Sequence, residues 1–163
     1  MLAGLVASVL VVASAVACSR EAANVVPIRF EVSLTSVAKD LYKVGPNDSI
    51  VYGRNLLEGD ALIDGEAVHV EMFGHVEYVN GGGDFDGPVT LTFEDGSLLG
   101  FDMVNGVATA RTDTSDARFS ALIRIIGGTG RFLNASGRGT LHGRRNDALG
   151  GVVEMTFEMN VQV

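Results

Sequence analysis

The sequence predicts an all-β protein: an eight-stranded antiparallel closed barrel that follows an N-terminal signal segment. Apolar and polar residues alternate with period two along most of the chain, as they do in strands with one buried face. Asn-Gly and Asp-Gly pairs separate these runs, and helical periodicity is nearly absent. Closing the sheet removes exposed edges, and eight strands leave an interior that side chains fill or that holds one small ligand. A two-sheet sandwich is the alternative.

The first 17 residues, MLAGLVASVLVVASAVA, carry no charge and stop at the polar sequence that begins with Cys18. This composition is typical of an export signal, and Ala15 and Ala17 fit the A-x-A rule for cleavage. The sequence therefore predicts a signal peptide over residues 1–17 and a single barrel domain over residues 18–163. An uncleaved anchor is the alternative, because 17 apolar residues are close to the length that spans a bilayer.

Cys18 is the only cysteine, so a monomer can form no internal disulfide. The sequence Ala15-Val16-Ala17-Cys18 resembles a bacterial lipobox, in which the cysteine is lipidated after cleavage. The resemblance implies a lipid anchor on Cys18, and simple secretion is the alternative. Both place the protein outside the cytoplasm, with membrane contact only through the signal or the lipid.

Strand candidates follow one another along the chain, and the last of them has the clearest alternation. There, apolar side chains from Val153 to Val163 alternate with polar ones from Glu154 to Gln162. Eight candidates, with a further one near 136–145, are counted. They lie near residues 27–36, 49–55, 66–79, 87–94, 97–104, 107–113, 117–126 and 150–163.

Turn signals stand between the strand candidates. Asp64-Gly65, the glycine-rich cluster over residues 80–84, Glu94-Asp95-Gly96 and Asn105-Gly106 are each predicted to close a hairpin, because these residues tolerate positive φ. Residues 37–46 have poor periodicity, which predicts a short helix or an irregular lid.

Composition and motifs exclude several classes of function. The formal charge of −8 argues against nucleic acid as a partner. Neither G-x-x-x-x-G-K-[ST] nor G-x-G-x-x-G occurs, so no nucleotide cofactor is expected. No metal site is expected either, because Glu71 and His75 lie about 13 Å apart on an extended strand.

Residues 111–145 hold seven arginines and two aspartates. They are interpreted as solvated positions, with an anion-binding face as the alternative.

One glycine-rich segment carries a family resemblance. The run I-I-G-G-T-G-R-F-x-x-A-S-G-x-G-T, from residue 125 to residue 140, resembles the GGTG-F-x-x-A-x-G signature of the allene oxide cyclase and dirigent barrel superfamily. The sequence F-E-D-G-S-L-L at 93–99 resembles its preceding hairpin. The resemblance covers residues 86–145 and implies an eight-stranded barrel with an apolar lumen, often a homodimer or homotrimer. It also implies that this segment shapes a barrel corner, which an inward aromatic side chain plugs. The residues concerned are Gly127, Gly128, Thr129, Gly130, Phe132 and Gly137.

The same resemblance implies candidate catalytic residues on the first strand. Allene oxide cyclases use a glutamate there, with an asparagine two positions later; this chain has Glu31 and Ser33. The proline that the family carries further on is absent, with Asp40 near its position. Glu31 also lies on the polar side of its own alternation, so a solvated Glu31 is the alternative. Tyr42, Tyr52 and Tyr78 are candidates to present hydroxyl groups to a lumenal ligand.

Two hypotheses for the function follow, and the sequence leaves open whether the protein is an enzyme. The first is an exported barrel that binds a small hydrophobic molecule in its lumen and aids an isomerisation or cyclisation by constraining its shape. The second is a non-catalytic secreted or envelope-anchored barrel that acts through its outer surface. A lumen filled with side chains would favour the second.

Overall fold

A computed structural model describes residues 24–110, 116–146 and 150–163 and confirms the closed barrel. Each strand pairs antiparallel with the next, and the last pairs with the first. The sandwich alternative is therefore wrong. The strands are β1 Val25–Val44, β2 Ile50–Ile63, β3 Glu66–Val79, β4 Gly82–Phe93, β5 Leu98–Ala110, β6 Ala117–Gly128, β7 Ser136–Arg145 and β8 Val153–Gln162.

The core lies inside the barrel and follows the alternation of the sequence. On β8, Val153, Met155 and Phe157 are buried, whereas Glu154 and Glu158 are exposed. Three aromatic rings meet near the centre of the lumen. The Phe30 and Phe157 rings stack at 4.8 Å between centroids, and Phe101 meets Phe157 edge-on at 5.6 Å. Side chains thus fill the middle of the barrel.

One end of the barrel is closed by the predicted glycine-rich corner. Chain direction reverses after Gly128 through a 3₁₀ turn over Gly130–Phe132, and Gly130 has a φ of 57°. Phe132 is buried and packs on Phe93, with 4.9 Å between ring centroids. The Phe132 ring therefore lies on the inner side of this corner. We call this end the closed end.

The opposite end is open, and the prediction for residues 37–46 is wrong there. β1 continues to Val44 after a register shift between Ser36 and Ala38, and only Pro46–Asp48 forms a short 3₁₀ turn. The alternation is lost because the barrel mouth does not bury this part of β1. Lys39 takes a position on the inner side, opposite the buried Asn55, and is exposed.

The Asn105-Gly106 pair closes no hairpin, which corrects a second prediction. Candidate 97–104 and the described part of candidate 107–113 form one strand, β5, whose pairing with β6 shifts register between Val104 and Val107. Asn105 has a φ of 53°, which fits a bulge as well as a turn. The other turns are confirmed: Asp64-Gly65 and Glu94-Asp95-Gly96 join neighbouring strands. The 80–84 cluster also does, although its turn is only Asn80-Gly81.

The predicted signal peptide over residues 1–17 and Cys18 lie outside the described residues. Within residues 24–110, 116–146 and 150–163, no helix has the length and hydropathy needed to cross a membrane.

Candidate functional site: a pocket at the open end

The lumen keeps a small pocket at the open end of the barrel, with a volume of about 50 Å³. Its wall is mainly apolar, and each of the eight strands contributes at least one lining residue. The lining residues are Leu41, Asn55, Leu57, Met72, Gly74, Val76, Tyr78, Phe85, Met103, Phe119, Arg145, Gly150, Val153 and Met155.

Three polar side chains converge on this apolar pocket. Tyr78, near the end of β3, is 3% exposed; Arg145, the last residue of β7, is 2% exposed; Asn55 on β2 is also buried. Each occupies an inward position in the alternation of its strand, where the neighbouring inward residues are apolar. Polar groups that line a mostly apolar pocket are the usual means of orienting a small ligand.

The Tyr78 hydroxyl group can donate a hydrogen bond to a ligand. It makes no hydrogen bond within the part of the chain that the structure describes. Burial raises the pKa of Tyr78 to about 12, and the positive charge of Arg145 opposes this rise. The phenol is therefore fully protonated at neutral pH, which makes it a donor within an apolar wall.

Arg145 and Asn55 are held in place by their neighbours. The Arg145 guanidinium carbon lies 5.7 Å from the centroid of the Phe119 ring, within reach of a cation–π interaction. The Ser36 hydroxyl group donates a hydrogen bond of 2.5 Å to the Asn55 side-chain oxygen. This leaves the Asn55 amide nitrogen as a further donor.

A second cation lies at the rim of the pocket. Lys39 crosses from β1 toward Gly150, and its Nζ atom lies 2.7 Å from the position that a Cβ on Gly150 would occupy. Lys39 makes no ion pair within residues 24–110, 116–146 and 150–163. Lys39 and Arg145 are both cationic, and cationic side chains near a pocket favour ligands that carry an acceptor or a negative charge.

The two catalytic candidates that the family resemblance implies lie outside the open-end pocket. Glu31 and Ser33 are exposed on the outer wall, beside a shallow groove that His142, Arg144 and Glu154 also line. The alternative of a solvated Glu31 agrees with this position. The structure does not bring Glu31 or Ser33 to the lumen.

Of the three tyrosines predicted to reach a lumenal ligand, Tyr78 alone lies in the pocket wall. Tyr42 is 62% exposed and its hydroxyl group lies 3.3 Å from Asp40. Tyr52 is exposed on the outer wall and donates a hydrogen bond of 3.2 Å to Glu77. This hydrogen bond, more than the charge of Glu77, raises the pKa of Tyr52.

Asn55 and Arg145 were missing from the sequence-based candidates. The sequence does hold a signal for them: each is a polar residue on the apolar phase of its strand, two positions from Leu57 and four from Leu141. A polar residue in that phase is either buried or near an open barrel end. The second strand candidate ended at residue 55, so it was too short to show that Asn55 lies within a strand.

No group of three or more His, Cys, Asp or Glu residues is placed to hold a metal ion in the part of the chain that the structure describes. His69 instead pairs with Asp60 at 2.9 Å, on the outer wall.

Comparisons with known proteins concern the fold. No protein-family model matches the sequence, and no curated protein matches it. Two solved structures, the pterocarpan synthase dirigent proteins PsPTS1 and GePTS1, are each 17% identical to this chain, with a TM-score of 0.45. Each match covers 85% of this chain, with 95% of the PsPTS1 chain and 84% of the GePTS1 chain.

Proposed function

We propose that this protein is an exported barrel that binds one end of a small apolar molecule in the open-end pocket. The observation that carries the proposal is the Tyr78 hydroxyl group, a hydrogen-bond donor on a buried side chain in an apolar wall. A ligand with a carbonyl or other acceptor oxygen near its apolar end would satisfy that donor. Arg145 and Lys39 add positive charge on the same side of the molecule.

The size of the pocket limits how much of the ligand enters. Its volume of about 50 Å³ is several times smaller than the roughly 300–1,000 Å³ typical of pockets that enclose whole ligands. One end of the molecule, or one ring, is therefore held inside while the remainder lies across the mouth. Such a site restricts the shape of a flexible substrate, which can speed a cyclisation or isomerisation.

The chemical contribution of the site would be electrostatic. A Tyr78 hydrogen bond near the Arg145 charge can stabilise negative charge that develops on a ligand oxygen. Glu31 and Ser33 cannot act on a ligand in this pocket from the outer wall. A catalytic function would thus depend on Tyr78 and Arg145 rather than on the first strand.

A second candidate function is a non-catalytic barrel that acts through its outer surface. The observation in its favour is the filled lumen: Phe101, Phe157 and Leu34 have no exposed surface. The pocket that remains at the open end of the lumen is small, at about 50 Å³.

A fluorinated probe separates the two candidates. 4-Fluoroacetophenone has one apolar ring and a carbonyl acceptor, and ¹⁹F NMR reports its binding. Gly74 lines the pocket and has no atom closer than 3.9 Å to an added Cβ, so Gly74→Leu fills the pocket without a backbone clash. Ala67→Leu adds the same side chain on the exposed side of the same strand and is the control.

We expect the probe to bind the native protein and the Ala67→Leu variant, and Gly74→Leu to abolish binding. Tyr78→Phe should weaken binding about fivefold, the loss of one hydrogen bond worth about 1 kcal/mol. Absence of binding to the native protein, or equal binding to Gly74→Leu, would refute the pocket and favour the outer-surface function.

The proposed export has its own test. Mass spectrometry of the mature protein from its host should show an N-terminus at Cys18, with a diacylglyceryl mass if the lipobox resemblance holds. A mature N-terminus at Met1 on protein that stays in the cytoplasmic fraction would contradict export.

A further inference from the structure

We propose that this protein associates with copies of itself side by side. Two oppositely charged walls of the barrel form the contact, so that each copy offers one wall to one neighbour and the other wall to the next. The arginine wall is the outer face of β6 and β7, and the carboxylate wall is the outer face of β2, β3 and β4. Strands β6 and β7 present four exposed arginines, and residues 117–145 contain no Asp or Glu, whereas residues 50–93 hold eight Asp and Glu and one arginine. The proposal is independent of the pocket.

Like charges lie directly opposite one another on the arginine wall. Arg118 pairs across the ladder with Arg144, and Arg124 pairs with Arg138. All four are exposed. Asp102 pairs with Arg124 and Glu154 with Arg144, but Arg118 and Arg138 have no carboxylate partner in the part of the chain that the structure describes. Like charges in this position destabilise an isolated sheet, and a negatively charged partner would relieve the repulsion.

The carboxylate wall repeats the arrangement with the opposite sign. Glu58 lies opposite Glu71 between β2 and β3, and Glu77 lies opposite Asp84 between β3 and β4. None of these four makes an ion pair with Lys or Arg in the described ranges. Arg54, the one arginine of this wall, lies opposite His75 between the two pairs.

The two walls also match in spacing. Arg118 and Arg124 are six residues apart on β6, and Glu71 and Glu77 are six residues apart on β3. Six residues of strand span about 20 Å in both cases. Arg118 and Glu77 both lie near the open end of the barrel. Two barrels side by side, with their open ends in the same direction, therefore bring each arginine pair to a carboxylate pair.

Apolar side chains between the charged pairs favour a protein partner over a polyanion. Leu122, between Arg118 and Arg124, is 51% exposed, and Phe73, between Glu71 and Glu77, is 37% exposed. A protein interface typically has apolar groups at its centre and charges at its rim. A linear polyanion would leave Leu122 without an apolar partner.

The position of the walls predicts the kind of assembly. The arginine wall is centred between β6 and β7 and the carboxylate wall on β3, so the two lie on nearly opposite sides of the eight-stranded barrel. Contacts between different surfaces on opposite sides extend a chain and do not close a small ring. Open-ended association is expected, in place of the homodimer or homotrimer that the family resemblance implies.

Sedimentation velocity over a series of protein concentrations tests the proposal. The variant Arg118→Glu/Arg138→Glu reverses one arginine of each pair, and Glu71→Arg/Asp84→Arg reverses one carboxylate of each pair. Lys39→Glu/Lys43→Glu makes the same change in net charge as the first variant, but at exposed positions on β1 that belong to neither wall. Circular dichroism checks that each variant folds.

The native protein and the Lys39→Glu/Lys43→Glu control should form species larger than a monomer at about 10 mM salt and dissociate at about 0.5 M salt. Each wall variant alone should remain monomeric. An equimolar mixture of the two wall variants should associate again, because each supplies the charge that the other lost. A native protein that is monomeric at low salt, or a mixture that stays monomeric, would overturn the proposal. Binding of polyphosphate by a protein that never self-associates would assign the arginine wall to a polyanion instead.

Discussion

Tyr78 and Arg145 are polar residues at inward positions of the barrel, and they mark its open end. Both lie on the inward phase of their strands, where the neighbouring side chains are apolar. Burial raises the pKa of Tyr78 to about 12, and the charge of Arg145 partly offsets the effect. A polar side chain at this depth is costly unless it has an interaction partner.

The raised pKa predicts a loss of stability at high pH. Between pH 10 and about 12 the unfolded chain releases the Tyr78 proton while the folded protein retains it. The free energy of unfolding therefore falls over this range by at most about 2–3 kcal/mol, and the contribution is complete below pH 10. Urea denaturation of the native protein and Tyr78→Phe at several pH values should show their difference changing only above pH 10. The exposed Tyr42→Phe is the control, and parallel curves for native protein and Tyr78→Phe would contradict the assignment.

Substitution of Phe132 should lower the free energy of unfolding strongly. Phe132 is buried at the closed end, packs on Phe93, and lies 5.2 Å below the Arg131 guanidinium. Phe132→Ser should lower the free energy of unfolding by about 3–5 kcal/mol, because it removes a buried aromatic side chain and leaves a cavity. The neighbouring Leu133 is exposed, so Leu133→Ser should change stability little. Equal denaturation midpoints for the two variants would refute the role of Phe132.

At the scale of the strand, alternation predicted the barrel interior and failed where the barrel ends. The prediction for 66–79 matches β3, because both ends of that strand are turns and its inward side chains from Val68 to Val76 are apolar. Alternation failed to predict the strand over residues 37–46, because inward positions at the open mouth of the barrel, such as that of Lys39, need not be apolar. The site was hidden for the same reason: Asn55 looks like a strand-end polar residue unless β2 is known to continue, and Arg145 does end its strand.

Local turn chemistry is also ambiguous at this scale. Asn-Gly supplies positive φ to a hairpin turn and to a bulge alike, so Asn105-Gly106 could not be assigned from sequence. Gly106 lies against Phe85 on the neighbouring strand, and a Cβ on Gly106 would come within 2.8 Å of the Phe85 ring. The pairing across the barrel wall, which is not a local property, determines the outcome.

The bulge makes a prediction of its own. Gly106→Ala should destabilise the protein by about 1–3 kcal/mol, because the added methyl group collides with Phe85 and with its backbone. Gly74→Ala is a matched control, because an added Cβ there has no neighbour closer than 3.9 Å and points into the pocket. Thermal denaturation of both variants checks the prediction. If Gly106→Ala were as stable as Gly74→Ala, the bulge would not bring β5 this close to β4.

For the whole molecule, the decisive contact joins the first strand to the last. β1 pairs with β8 from Val25 opposite Gln162 to Leu34 opposite Val153, and this seam turns an eight-stranded sheet into a barrel. A closed ladder has no edge strand that can open alone. The seam is also the contact with the greatest separation in sequence, so it is the last that local alternation could establish.

Hydrogen exchange measures whether the seam is as stable as the rest of the barrel. Amides over residues 28–32 and 155–159 should exchange within about tenfold of those over residues 68–72 in β3, because both require global unfolding. Backbone near Val44, at the rim of the open end, should exchange faster and gives an internal reference for local opening. Exchange at the seam about a hundredfold faster than in β3 would mean that β1 and β8 separate locally. The molecule would then be an open sheet in part of its population, and the pocket walls formed by Val153 and Leu41 would separate with it.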